Sequence, residues 1–245
     1  MEKITASKVA KSKVQGRKLS MLTAYDYSLA KILDEAGLDI ILVGDSLGNV
    51  ILGYENTLPV TMADMIHHTK AVSRGVKRAL LVADMPVGAM EKAVENAKAL
   101  VSAGAEAVKV EGVEEIGAIT AIIKKGIPVM GHLGFLPQKV KELGGYKVQR
   151  SPKIVDEARQ LEEAGVFSVV LEMVPEDLAA QVTQAVKIPT IGCGAGPYCD
   201  GQVLVSYDML GLYPNAPKFA KKYVDLRAII SKAVREFMGA RSSTG

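Results

Sequence analysis

Two cysteines, Cys193 and Cys199, are all that the 245 residues contain. They are too few and too close together to staple a chain of this length, which excludes a disulfide framework and fits reduced thiols in a cytoplasmic protein. Long apolar runs are lacking as well. Asp45, Asp84, Lys109 and Glu172 interrupt the most apolar stretches, so none reaches the roughly 18 uninterrupted residues of a membrane span. The basic N-terminal segment has no apolar h-region, which excludes a signal peptide, and no Ser/Pro/Gly-rich linker divides the chain. Hydrophobic residues at 49% and charged residues at 23% exclude a disordered or low-complexity chain and allow a sizeable core.

The net charge of +3 is unevenly placed. Residues 1–18 hold Lys3, Lys8, Lys11, Lys13, Arg17 and Lys18 against Glu2 alone, and the remainder is slightly acidic. A nucleic-acid binder carries its basic stripe on the folded domain rather than at one end of the chain, so neither nucleic acid nor a membrane is expected as a partner.

Eight short apolar runs recur with helical patterns between them: Leu19 to Ala24, Ile40 to Asp45, Ala79 to Asp84, Ala107 to Glu111, Pro128 to Leu133, Ser168 to Glu172, Thr190 to Gly194 and Gln202 to Ser206. Consecutive apolar residues, as in Ile40-Ile41-Leu42-Val43, suit strands buried on both faces of a parallel sheet. Thr61-Met62-Ala63-Asp64 opens one of the intervening helices, and Met90 to Ser102 has apolar residues at helical spacing. Gly37, Gly104 and Gly165 each follow a helical pattern shortly before a strand, in position for a left-handed cap. Eight such units in this length predict one α/β domain, a (β/α)8 TIM barrel spanning 1–245, with a basic segment at 1–18 and a disordered tail at 239–245.

In such a barrel the active site lies at the C-terminal ends of the strands. Asp45, Asp84, Glu111 and Glu172 each end an apolar strand here. Any one of them could equally cap a helix or pair with a base. Four on one mouth repel each other unless a cation or shared protons offset the charge, and oxygen ligands without a Cys/His set point to Mg2+. Lys109 lies two residues before Glu111 and so faces the same side of its strand, where burial requires an anionic partner. His132 ends the fifth strand, either as a site group or as a hydrogen-bonded structural residue, and residues 134–145 after it read as a loop over the mouth. His67 and His68 read as ordinary helix residues. The Gly192-Cys193-Gly194-Ala195-Gly196 stretch is a tight turn or a phosphate cradle, with the turn preferred.

At these residues the chain resembles the ketopantoate hydroxymethyltransferase family. The strings that carry the resemblance are Met21-Leu22-Thr23-Ala24-Tyr25-Asp26, Val43-Gly44-Asp45-Ser46-Leu47-Gly48, Thr57-Leu58-Pro59-Val60-Thr61, Gly131-His132-Leu133-Gly134, Gly144-Gly145-Tyr146-Lys147-Val148-Gln149 and Asp200-Gly201-Gln202. The similarity runs from about Thr5 to Lys232. The resemblance implies a barrel of the phosphoenolpyruvate/pyruvate superfamily and Mg2+ dependence. It also implies transfer of a one-carbon unit from 5,10-methylenetetrahydrofolate to 3-methyl-2-oxobutanoate, the first step of pantothenate synthesis, in a homo-oligomer that is often a decamer. By motif, Asp45, Asp84 and Glu111 resemble metal ligands, and Asp45, Ser46, Asp84 and Lys109 resemble keto-acid contacts. Glu172 resembles the general base, and His132 lines the site. Val87-Gly88-Ala89-Met90 and Pro197-Tyr198-Cys199 depart from the family pattern. Two other readings compete. A Mg2+-dependent C–C lyase of the isocitrate lyase type would share the carboxylates but needs a cysteine-bearing catalytic loop, and a non-catalytic ligand-binding barrel would have lost a catalytic carboxylate.

Overall fold

All eight apolar runs form strands, and they close in sequential order into a parallel barrel: β1 (Leu19–Thr23), β2 (Ile40–Val43), β3 (Leu80–Asp84), β4 (Ala107–Glu111), β5 (Val129–Gly134), β6 (Ser168–Glu172), β7 (Thr190–Cys193) and β8 (Gly201–Leu204). The computed structural model describes residues 2–145, 147–214 and 216–240; Tyr146 of the Gly144–Gln149 string lies outside them. β2 to β5 are buried along nearly their whole length, the reason their sequences are apolar at consecutive positions. Inward-facing Met21, Ile40, Leu42, Leu80, Val82, Ala107, Met130, Val170 and Ile191 belong to one continuous core.

The chain divides into two compact units, residues 1–203 and 204–245. In the first, the helices are α1 (Ala6–Lys11), α2 (Tyr27–Glu35), α3 (Leu47–Val50), α4 (Met62–Ser73), α5 (Ala93–Ser102), α6 (Ile116–Ile123), α7 (Ile154–Ala164) and α8 (Glu176–Ala185). Thr61 and Asp64 form a reciprocal capping box at the start of α4, as their spacing predicts. Gly37, Gly104 and Gly165 all take positive φ after α2, α5 and α7. Residues 89–92 form a 3-10 turn before α5, so that helix begins later than Met90. Residues 194–200 alone join β7 to β8, and Gly192–Gly196 belongs to this tight return. The second unit contains α9 (Ser206–Leu210) and α10 (Leu226–Ala240). Ser206 therefore starts a helix instead of ending a strand, and Gly239 and Ala240 close α10, while 241–245 lie outside the described residues.

The basic segment plugs the N-terminal end of the barrel. Ile4 and Val9 join the core, and Ile4 donates its N–H to the Arg78 carbonyl at 2.7 Å. Its charges find acids around that rim: Lys3 meets Glu106 at 2.6 Å, Arg17 meets Asp39 at 2.7 Å and Lys13 meets Asp200 at 3.3 Å. The positive end of the sequence is thus a stopper with most of its charges paired.

Asp34, buried on α2, accepts the N–H groups of Lys77 (3.0 Å), Arg78 (2.9 Å) and Ala79 (2.7 Å), anchoring the approach to β3. Burial pushes its pKa up, but these three donors more than offset that and leave it below the usual value. Asp34→Ala should lower stability by about 3 kcal/mol, the scale of stranding buried donors, read from the denaturant midpoint. Because the folded pKa is depressed, this contribution is present above the unfolded value of about 3.9 and lost as pH falls through the folded one. Asp34→Asn should accordingly flatten the acid limb of the stability curve.

Candidate active site

Strand register assembles the mouth. It sets Asp84 opposite Lys109 on β3 and β4, Glu111 opposite His132 on β4 and β5, and Gly134 opposite Glu172 on β5 and β6. Asp45 does not end a strand as its sequence suggests: β2 stops at Val43, and Gly44 and Asp45 turn into α3. A Cβ at 44 would lie 2.8 Å from Ser46 Oγ and so would turn that hydroxyl out of its present place. The tight turn brings the Asp45 N–H within 3.0 Å of Asp84 Oδ2, to which it donates.

Lys109 stands at the centre, 2.8 Å from Asp84 Oδ1 and 4.0 Å from Glu111 Oε1. Asp45, Asp84, Lys109, Glu111 and His132 are all buried; Glu172, at 18% side-chain exposure, is the more open group. His132 bridges the two parts. Its Nδ1 lies 3.4 Å from Glu111 Oε1 and its Nε2 3.3 Å from Glu172 Oε2. These are charge contacts more than aligned hydrogen bonds: among the described residues, Asp84 Oδ1, Glu111 Oε1 and His132 Nε2 are buried without a hydrogen-bond partner. Three unsatisfied polar atoms at one point mark a place built for something other than stability.

Burial pushes the Asp45 carboxyl well above its usual range, and the neighbouring Asp84 and Glu111 charges add to the shift. Burial also raises Asp84, with Lys109 holding it back. Burial works against charge on Lys109, but Asp84, Glu111 and Asp45 together keep its pKa above the ordinary lysine value. Burial and Lys109 both press the His132 pKa down, and Glu111 and Glu172 outweigh them, holding it up at about 9. Glu111 itself is lowered: burial raises it, and His132 and Lys109 more than compensate.

Two polar residues that the sequence gives no reason to single out also belong here. Tyr25, a fully buried residue of the Met21–Asp26 string, shares a 2.7 Å hydrogen bond between its hydroxyl and Ser46 Oγ, fixing that serine. Its carbonyl lies 2.7 Å from His68 Nδ1, a structural use of that histidine. Gln138, in a 3-10 turn (Pro137–Lys139) of the loop after β5, reaches both Asp45 and Glu111. That loop starts at Gly134, whose φ of 93° and 2.3 Å approach of a would-be Cβ to the Glu172 carbonyl admit only glycine. Leu136 and Lys139 of the loop line a cavity of about 330 Å3 with Glu114, Gln149 and Glu157; none of the six strand-end and turn residues lines it.

Among the described residues no three His, Cys, Asp or Glu side chains form a ready-made metal cage. The donor set nevertheless fits a hard divalent ion. Mg2+ keeps several waters and takes only one or two carboxylates, and the Asp84 and Glu111 oxygens that take no hydrogen bond among the described residues face the positive charge that Lys109 now supplies.

A sequence model of the family described as ketopantoate hydroxymethyltransferase matches residues 3–244. The 3-methyl-2-oxobutanoate hydroxymethyltransferase of Thermoanaerobacter sp. (strain X514) is 53% identical over 249 residues, covering 97% of this chain and 91% of that protein. That of Ignicoccus hospitalis is 52% identical over 247 residues, covering 97% and 94%. Among solved structures, phosphonopyruvate hydrolase in complex with oxalate and Mg2+ superposes with a TM-score of 0.66 at 17% identity, over 99% of this chain and 89% of the other. A 2,3-dimethylmalate lyase of the PEP mutase/isocitrate lyase superfamily superposes with a TM-score of 0.66 at 15% identity, over 99% and 86%. At such identities these structures establish the fold alone, a (β/α)8 barrel. With sequence identity above 50% along almost the whole chain, this protein belongs to the ketopantoate hydroxymethyltransferase family.

Proposed function

We propose that this enzyme transfers a hydroxymethyl group from 5,10-methylenetetrahydrofolate to 3-methyl-2-oxobutanoate, giving 2-dehydropantoate in the first step of pantothenate synthesis, with Mg2+ bound at the mouth. The observation that carries the reading is the buried Lys109 among Asp45, Asp84 and Glu111, joined through His132 to the more open Glu172, in a chain of this family. Asp45 and Asp84, with Glu111, would hold the ion, which when bound supplies positive charge to the keto oxygen and so makes the C3 proton easier to remove. Lys109 and Ser46 orient the 2-oxo acid through its carboxylate and keto group. Glu172 takes the C3 proton; the C–H electron pair becomes the C2–C3 double bond, and the carbonyl pair moves onto oxygen. The methylene carbon is held by two folate nitrogens: attack by C3 breaks one C–N bond, whose electron pair stays on its nitrogen. Water displaces the second nitrogen in the same way and furnishes the hydroxyl, while the proton taken from C3 and one from water end on the two nitrogens. His132, between Glu111 and Glu172, keeps the base oriented. We place the reaction in the cytoplasm, in a homo-oligomer, as the family resemblance suggests.

Chelation with EDTA should abolish activity and Mg2+ restore it, and Asp84→Asn should raise the metal concentration needed for half-activity at least tenfold. Full activity in metal-free enzyme would overturn the metal assignment.

In D2O, the Mg2+ enzyme should exchange the C3 hydrogen of 3-methyl-2-oxobutanoate without any folate. Glu172→Gln should cut that exchange by about 10² or more while keto-acid binding stays near normal. Exchange at the wild-type rate would move the base role to another group. No exchange in the wild type would favour a lyase or a binding protein.

In metal-free protein the His132 imidazole resonance should titrate near 9 by NMR. Since this pKa lies above the unfolded value of about 6.5, His132 contributes stability that is fully present below that pH and lost as pH rises through about 9. His132→Ala should remove this alkaline loss.

A further inference from the structure

The geometry points to Gln138 as the positioning residue that sets the carboxylates of the mouth for the divalent ion and couples their placement to the seating of the loop after β5. The inference rests on the metal-dependent reading above.

Gln138 contributes three donors, and all are used. Its backbone N–H donates to Glu111 Oε2 at 3.2 Å. Its side-chain Nε2 donates to Asp45 Oδ2 at 3.1 Å and to the Met85 carbonyl at 2.9 Å. The amide is therefore unambiguous in orientation, because turning it over would set its oxygen against two acceptors. One residue thus touches the C-terminal ends of β2, β3 and β4 from a loop that follows β5. The same loop is tied to the base at its start, where the Phe135 N–H donates to the Glu172 carbonyl at 2.8 Å.

Each of the three carboxylates then has one oxygen held by a protein donor: Asp45 and Glu111 by Gln138, and Asp84 by the Asp45 N–H. The second oxygens, Asp84 Oδ1 and Glu111 Oε1, take no hydrogen bond among the described residues and face the Lys109 ammonium at 2.8 and 4.0 Å. An arrangement that ties one oxygen of a carboxylate to a neutral donor and turns the other toward positive charge fixes the direction of the lone pairs a cation would meet, the office of a group hydrogen-bonded behind a metal ligand. Lys139, the next residue, closes over Glu114 at 3.0 Å and holds the turn in place.

Gln138→Met keeps the length of the side chain and the backbone donor but removes both amide donors; Gln138→Ser removes them with a small polar group, a change a half-buried loop position tolerates. Mn2+ serves as the probe, its binding to the substrate-free protein followed by the EPR signal of the free ion. Both variants should show a Kd raised about tenfold, the lower end for loss of a group behind a metal ligand, with the melting temperature of the metal-free protein within a few degrees of wild type. At saturating metal, the KM for the keto acid should rise more than kcat falls. A Kd within twofold of wild type in both variants overturns the proposal. So does loss of the fold in both, which would make Gln138 part of the scaffold. If the wild type itself binds no Mn2+, the metal reading and this inference fall together. If it binds Mn2+ but does not turn over the keto acid, the proposed reaction falls while raised variant Kd values still support the role of Gln138.

Discussion

A lysine ammonium enclosed by carboxylates governs this molecule. Placing an ion in the interior of a barrel costs several kcal/mol unless its partners are close and well arranged. Lys109 meets that condition through Asp84 at 2.8 Å, with Glu111 and Asp45 acting at longer range. The arrangement is reciprocal, because the same carboxylates would repel one another without it. His132 stands between Glu111 and Glu172, and these two carboxylates favour its charged form against burial and the Lys109 ammonium 3.3 Å from its Nδ1. A divalent ion bound at the mouth, as proposed, would displace part of the charge that Lys109 supplies.

The two ends of the barrel divide the work. At the N-terminal end, the basic segment closes the core with Ile4 and Val9 and pairs its charges with Glu106, Asp39 and Asp200, while Asp34 satisfies the backbone before β3. At the other end Asp84, Lys109, Glu111 and His132 gather as buried charges. Closure of the core at one face and an ionic cluster at the other is the usual partition of stability and chemistry in this architecture.

Much of this was legible before any coordinates. Consecutive apolar residues such as Ile40–Val43 announce a strand buried on both faces, and a charge at the end of such a run announces a mouth residue, so all eight strands and Asp84, Lys109, Glu111, His132 and Glu172 could be named. The family strings added Ser46 and the expected roles. Gln138 and Tyr25 carry no such signal: a glutamine in a loop and a tyrosine after a strand match no period, and their importance comes from partners 93 and 21 residues away in sequence.

The sequence by itself determined the barrel, the number of strands and the chemical types gathered at their ends, because burial on both faces and βα alternation are local patterns that physics reads residue by residue. Only the tertiary structure decided which groups face each other. Strand register, a property of closure, sets Asp84 beside Lys109 and Glu111 beside His132. The turn at Gly44 carries Asp45 past the end of its strand and onto Asp84, and the loop after β5 folds back to place one amide across two carboxylates. Those relations depend on long-range packing, and hydrogen-bond partners, unlike hydrophobic periodicity, leave no repeat along the chain from which they could be read.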